Sequence, residues 1–83
     1  MMPEIKVRVE SASMGDIVGT IKGIVTVDGR NYRFVGTAFG RYGGQNVSVR
    51  LSPQAKKQLK IKGYDAEEIE IAIQEKIVRG NFM

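Results

Sequence analysis

Thr20-Ile21-Lys22-Gly23-Ile24-Val25-Thr26-Val27-Asp28-Gly29-Arg30-Asn31-Tyr32-Arg33-Phe34-Val35-Gly36-Thr37 is the stretch on which the fold turns. Two runs rich in β-branched and aromatic residues flank Asp28-Gly29, a pair that tolerates the positive φ angles of a two-residue hairpin turn. Setting Val27 opposite Arg30 fixes every other cross-strand partner. On one face Val25 meets Tyr32, Gly23 meets Phe34, Ile21 meets Gly36 and Gly19 meets Ala38. On the other, Thr26 meets Asn31, Ile24 meets Arg33, Lys22 meets Val35 and Thr20 meets Thr37. The first face is nearly apolar and the second mixed. A slip of one residue would exchange them, so this sorting supports the register. The Phe34 ring is expected to cover the bare backbone of Gly23.

Outward from this hairpin, Ile5, Val7 and Val9 alternate with charged neighbours as a half-buried strand, followed by a turn over residues 11–15. Val47, Val49 and Leu51 alternate with Asn46, Ser48 and Arg50 as a fourth strand. Ser52-Pro53 reads as the N-cap and first residue of a short cationic helix, residues 53–62, which Gly63 stops. Ala55 and Leu59 would face the sheet. Asp65 followed by Glu68 has capping-box spacing, and Ala66, Ile69, Ala72, Ile73 and Ile77 form one stripe of a second helix over residues 66–79. Residues 68–74 also alternate with period two, which leaves a strand as the alternative.

The expected architecture is α+β: a four-stranded antiparallel β-meander, residues 4–10, 16–27, 31–39 and 46–51, followed by two C-terminal helices packed on one face. Its core would comprise Ile5, Val7, Val9, Ile17, Ile21, Val25, Tyr32, Phe34, Val47, Val49, Leu51, Leu59, Ile69, Ile73 and Ile77. Ile71 and Val78, seven apart, lie opposite the main stripe of the second helix. They are expected to enter a homodimer interface or to lie beneath the N-terminal strand.

The 83 residues include 13 Lys and Arg, 9 Asp and Glu, and no Cys, His or Trp. Without Cys there is no disulfide, thiolate metal site or thiol nucleophile; without His the usual general base and commonest metal ligand are missing. No catalytic residue, metal or cofactor is expected. A chain of this length buries roughly 60 to 65% of its unfolded surface, which points to one small domain, 1–83, that gains from self-association. The first residues contain no apolar leader, and no apolar run approaches the ~20 residues of a membrane span. A cytoplasmic protein without a membrane partner is expected.

Charge is distributed unevenly. Residues 30–62 hold eight cations and no acid, namely Arg30, Arg33, Arg41, Arg50, Lys56, Lys57, Lys60 and Lys62. A field of one sign attracts polyanions, although such runs also solvate ordinary surfaces. With the helices on the apolar face, the opposite face exposes Lys6, Arg8, Lys22, Arg33 and Arg50 among Thr20, Thr26, Thr37, Asn31, Asn46 and Ser48, opposed by Glu4 and Glu10. Tyr32 and Phe34 fall on the core side, so Phe39 and Tyr42 are the better candidates for stacking on a base. Gly40, Gly43 and Gly44 around Arg41 match no nucleotide motif and read as a hairpin loop. Asp65, Glu67 and Glu68 are accounted for by the positive end of the helix dipole.

Asn46-Val47-Ser48-Val49-Arg50-Leu51-Ser52-Pro53, a short helix, Gly63 and a capped second helix together resemble the ribbon-helix-helix DNA-binding pattern. In that family the paired strands of a dimer insert alternate side chains into the major groove. The resemblance covers under half of the chain and implies base contacts from Asn46, Ser48 and Arg50. Three preceding strands favour a place for this one in its own sheet. The charge distribution suggests non-catalytic nucleic-acid binding by a basic sheet face and basic first helix, through Arg30, Arg33, Arg41, Arg50, Lys56, Lys57 and Lys60. The competing expectation is a small interaction module, inhibitor or regulator, whose cations meet an acidic protein surface.

Overall fold

The computed structural model describes residues 3–14, 18–39 and 46–82. In chain order these form β1 (Ile5–Met14), β2 (Val18–Val27), β3 (Arg30–Phe39), β4 (Asn46–Leu51), α1 (Pro53–Ile61) and α2 (Ala66–Val78). The strands make one antiparallel sheet in the order β1-β2-β3-β4, an α+β meander with both helices on one face. Asp28 and Gly29, at φ 48° and 86°, turn the central hairpin, and its pairs run from Val27↔Arg30 to Val18↔Phe39 in the expected register. The core side of that register contains Tyr32 and Phe34, both buried. A Cβ on Gly23 would lie 2.8 Å from Phe34 Cζ, so the ring packs on bare backbone as expected.

The expected turn at residues 11–15 is corrected. Ser11–Met14 continue β1, and Gly15 lies outside the described residues. The register shifts between Val9↔Gly23 and Ser11↔Lys22, so Glu10 is an extra residue in the strand. Such a bulge reverses the alternation, and Ala12 comes to lie opposite Ile21 on the core side. The period-two pattern breaks at Glu10 because the count changes there, not because the strand ends.

Ser52 Oγ accepts the Ala55 N–H at 3.1 Å, and Pro53 opens α1. At its far end Gly63, with φ 86°, donates to the Lys60 carbonyl, and Tyr64 donates to that of Leu59. That is the paired bonding of a Schellman stop. Lys62 therefore caps α1 instead of belonging to it. Asp65 caps α2 through the Glu67 N–H at 2.9 Å. The alternating run over residues 68–74 is helical, which places Ile69, Ile73 and Ile77 on one buried stripe.

These three join Val7, Val25, Val27, Tyr32, Phe34, Val49, Leu51, Ala55 and Leu59 in one apolar cluster, with Ile5, Ile21 and Val47 half-buried at its margin. Ten-residue strands are ~33 Å long and the 13-residue α2 only ~20 Å, so the helices cover mainly the hairpin-turn half of the sheet. Val9, expected in the core, is half-buried because it lies toward the uncovered half. Val27 and Ala38 are buried in addition to the expected set, and Ile17 lies outside the described residues.

Glu70 ties the helices to the sheet. Its carboxylate accepts the Leu51 N–H at 2.8 Å and lies 3.7 Å from Lys56 Nζ. The next residue, Ser52, donates to Arg33 of β3, so Leu51 directs its N–H toward the free edge of β4. Occupying that donor blunts the edge. At the opposite end Asp28 accepts from the Glu4 N–H and the Tyr64 hydroxyl, clasping the hairpin tip to the inter-helix turn.

Candidate nucleic-acid interface

The helices leave the second face of the sheet open, and its composition follows from the register. Lys6, Thr26 and Asn31 form one cross-strand row; Arg8, Ile24 and Arg33 form the next. Ser11, Lys22, Val35 and Arg50 form a third, and Ser13, Thr20, Thr37 and Ser48 a fourth. Arg8, Lys22, Arg33 and Arg50 are thus each diagonal to the next, one cation per strand, in a zigzag across the sheet. Diagonal neighbours on a sheet stand ~7–8 Å apart. Ile24 and Val35 fill the notches between them.

Ion pairing sharpens this pattern. Among the described residues the salt bridges are Lys6–Glu4 at 3.5 Å and Lys56–Glu70 at 3.7 Å. Within that set Arg8, Lys22, Arg33 and Arg50 have no carboxylate at bonding distance, and all four are exposed. A cation of this kind breaks no ion pair among the described residues when it contacts a phosphate, although ordering its side chain still costs rotamer entropy.

The seven cations singled out in the sequence do not share one surface. Arg33 and Arg50 lie on the open face. Lys56, Lys57 and Lys60 belong to α1 in the opposite layer, where Lys56 is engaged by Glu70. Arg30 adjoins the hairpin turn, opposite Val27 on the core-side alternation, and Arg41 lies outside the described residues. Partial desolvation, followed by the charge of Arg30, holds the Lys62 ammonium below its ordinary pKa of 10.5. Arg30 and Lys62 therefore form a like-charged corner on the helix side, separate from the zigzag.

Phe39 is 47% exposed on the open face, opposite Val18, as a stacking residue must be. Tyr42 and the Gly40, Gly43 and Gly44 loop lie outside the described residues. β4 pairs with β3 along its full length, from Phe39↔Asn46 to Phe34↔Leu51. The ribbon-helix-helix resemblance therefore does not extend to a strand standing apart from its own sheet. Among the described residues no group of three or more carboxylates is placed to hold a metal ion, and no helix is long and apolar enough to cross a membrane.

Arg8 and Lys22, expected on this face with Arg33 and Arg50, are absent from the seven cations because they lie outside the acid-free segment. The hairpin register alone places Lys22 diagonal to Arg33. Arg8 and Arg50 join them only through the pairing of the outer strands. No protein-family model, curated protein or solved structure matches this chain.

Proposed function

We propose that this chain is a non-catalytic, cytoplasmic nucleic-acid-binding protein whose open sheet face engages phosphates through Arg8, Lys22, Arg33 and Arg50. The observation that carries the reading is the zigzag of exposed cations, one per strand, without ion-pair partners among the described residues. Glu4 on the same face pairs with Lys6 and with none of the four. Arg30, Lys57 and Lys60 on the helix side contribute to the field that draws a polyanion in, and less to contact with it. The same reading includes a homodimer. Ile71 and Val78 are 53% and 49% exposed on α2, so neither lies beneath β1, and both are available to a second copy.

The test is a fluorescence-anisotropy titration against single- and double-stranded DNA and RNA at two salt concentrations. Each phosphate neutralised on a single strand contributes a slope of about −0.7 in log affinity against log salt. Four cations then give about −2.8, a loss of about 50-fold between roughly 50 and 200 mM salt. Alanine at Lys22 or Arg33 should reduce the slope by about 0.7. Failure to bind any of the four nucleic acids at ~50 mM salt refutes the proposal and leaves an acidic protein surface as the partner of this face.

A further inference from the structure

The open face changes character along its strands. Beyond the cationic rows comes the row of hydroxyls, Ser13, Thr20, Thr37 and Ser48, and beyond that row Val18 stands opposite Phe39. Val18 and Phe39 are 45% and 47% exposed, an apolar pair at the end of the hairpin farthest from its turn. The other aromatic residues among those described lie elsewhere. Tyr32 and Phe34 are buried on the core side, Tyr64 lies between the helices and Phe82 follows α2.

From this order of cations, hydroxyls and an exposed ring we infer that the face takes a single-stranded nucleic acid, one base of which stacks on Phe39 beside Val18 while Arg8, Lys22, Arg33 and Arg50 hold phosphates of the same strand. The inference rests on the proposed nucleic-acid binding, and it names the form of the ligand and the residue that selects it. Phe39 lies four residues along β3 from Val35, the partner of Arg50, so the two rows are ~13 Å apart. The stacked base and the bound phosphates therefore belong to different nucleotides. Between them the hydroxyl row offers donors and acceptors to sugar and phosphate oxygens.

The ring is what separates a single strand from a duplex. A phenyl group has neither charge nor hydrogen bond to give a phosphate, but its π-face suits a base of any identity. Bases inside a duplex are covered on both sides by their neighbours, so Phe39 gains no partner there. Sheet width acts in the same direction. Four strands at ~4.8 Å spacing measure ~14 Å between the outer two, wider than the ~12 Å major groove into which a two-stranded ribbon fits. This sheet meets a duplex across its phosphates alone, whereas a single strand can lay its backbone on the cations and turn a base onto the ring.

The experiment titrates the full chain by anisotropy, at ~50 mM salt, against an oligothymidylate of about 12 nucleotides, a length within the usual site size, against the same sugar-phosphate chain lacking every base, and against a duplex of equal length. The unaltered protein should bind the oligothymidylate about 5- to 150-fold more tightly than the baseless chain, the range for one stacked base. That comparison needs no variant, so it stands whatever a substitution does to folding. Phe39→Ala should remove the margin while leaving affinity for the baseless chain, affinity for the duplex and the salt slope unchanged, and Phe39→Trp should keep it. Equal binding of the oligothymidylate and the baseless chain, or a Phe39→Ala variant indistinguishable from the unaltered protein, overturns the stack and leaves phosphate binding standing. A duplex bound as tightly as the oligothymidylate overturns the selection of a single strand. No binding to any of these probes removes the underlying function as well.

Discussion

Gly23→Ala should be among the most damaging single-methyl additions to the sheet. The added Cβ would lie 2.8 Å from Cζ and 2.9 Å from Cε2 of Phe34, and closer still to the Arg8 carbonyl oxygen. A flexible side chain could yield, but Phe34 is buried in the core cluster and the Arg8 carbonyl belongs to the backbone of β1. Overpacking of this kind costs about 1–3 kcal/mol, more than the ~0.4–1 kcal/mol recovered by restricting the unfolded chain. The difference is about 0.6–2 kcal/mol, and in a domain of this size each ~1 kcal/mol displaces the melting midpoint by about 4–8 °C, so a fall of about 2–16 °C is expected. Gly36→Ala is the internal control. It lies on the same face of the adjacent strand, and its added methyl would meet its nearest neighbours at 3.6 Å, ordinary contact. That variant should melt at or slightly above the unaltered protein. Phe34→Leu in the Gly23→Ala background should recover part of the loss, which a double-mutant cycle followed by circular dichroism would measure. Equal midpoints for Gly23→Ala and Gly36→Ala would refute the close approach of Phe34 and Arg8 to Gly23.

Glu70→Ala strands the Leu51 N–H at the β4 edge and should cost about 1–3 kcal/mol in urea unfolding, whereas Glu70→Gln retains an acceptor and should lose less. Tyr64 donates its hydroxyl to Asp28 at 2.5 Å, and that hydrogen bond, followed by desolvation and the Asp28 charge, raises the phenol above its ordinary pKa of 10.0. The folded state then keeps the proton longer than the unfolded chain. The stabilisation is complete below pH ~10 and declines as pH rises through the raised pKa, so Tyr64→Phe should flatten the alkaline limb of a stability–pH profile. Replacing Ile71 and Val78 together by Lys should leave the circular dichroism spectrum intact and convert a sedimenting dimer to a monomer, because each exposed side chain contributes about 1.5–3 kcal/mol when buried. An unaltered protein that sediments as a monomer at high concentration would dispose of that interface.

The local sequence determined the hairpin, its register and the two helices, because the signals involved act over a few residues. Asp28-Gly29 admits positive φ, Ser52-Pro53 and Asp65 satisfy helix-start donors, and Gly63 closes a helix end. The helix over residues 66–78, ambiguous by alternation alone, was settled by packing. Its 3.6-residue stripe of Ile69, Ile73 and Ile77 finds an apolar sheet to cover, whereas a fifth strand would leave that sheet bare. Three features came only from tertiary structure. The bulge at Glu10 depends on how β1 aligns with β2, a non-local choice invisible in the alternation of β1 itself. The Glu70 latch joins positions 19 residues apart through a backbone N–H, which no side-chain pattern marks. The cations of the open face come from four strands and align only when all three registers are combined, while the denser cationic run in the sequence divides between opposite sides of the sheet. Linear charge density records which residues are adjacent along the chain, whereas a phosphate backbone meets residues adjacent across strands, and in a meander cross-strand pairing decides which those are.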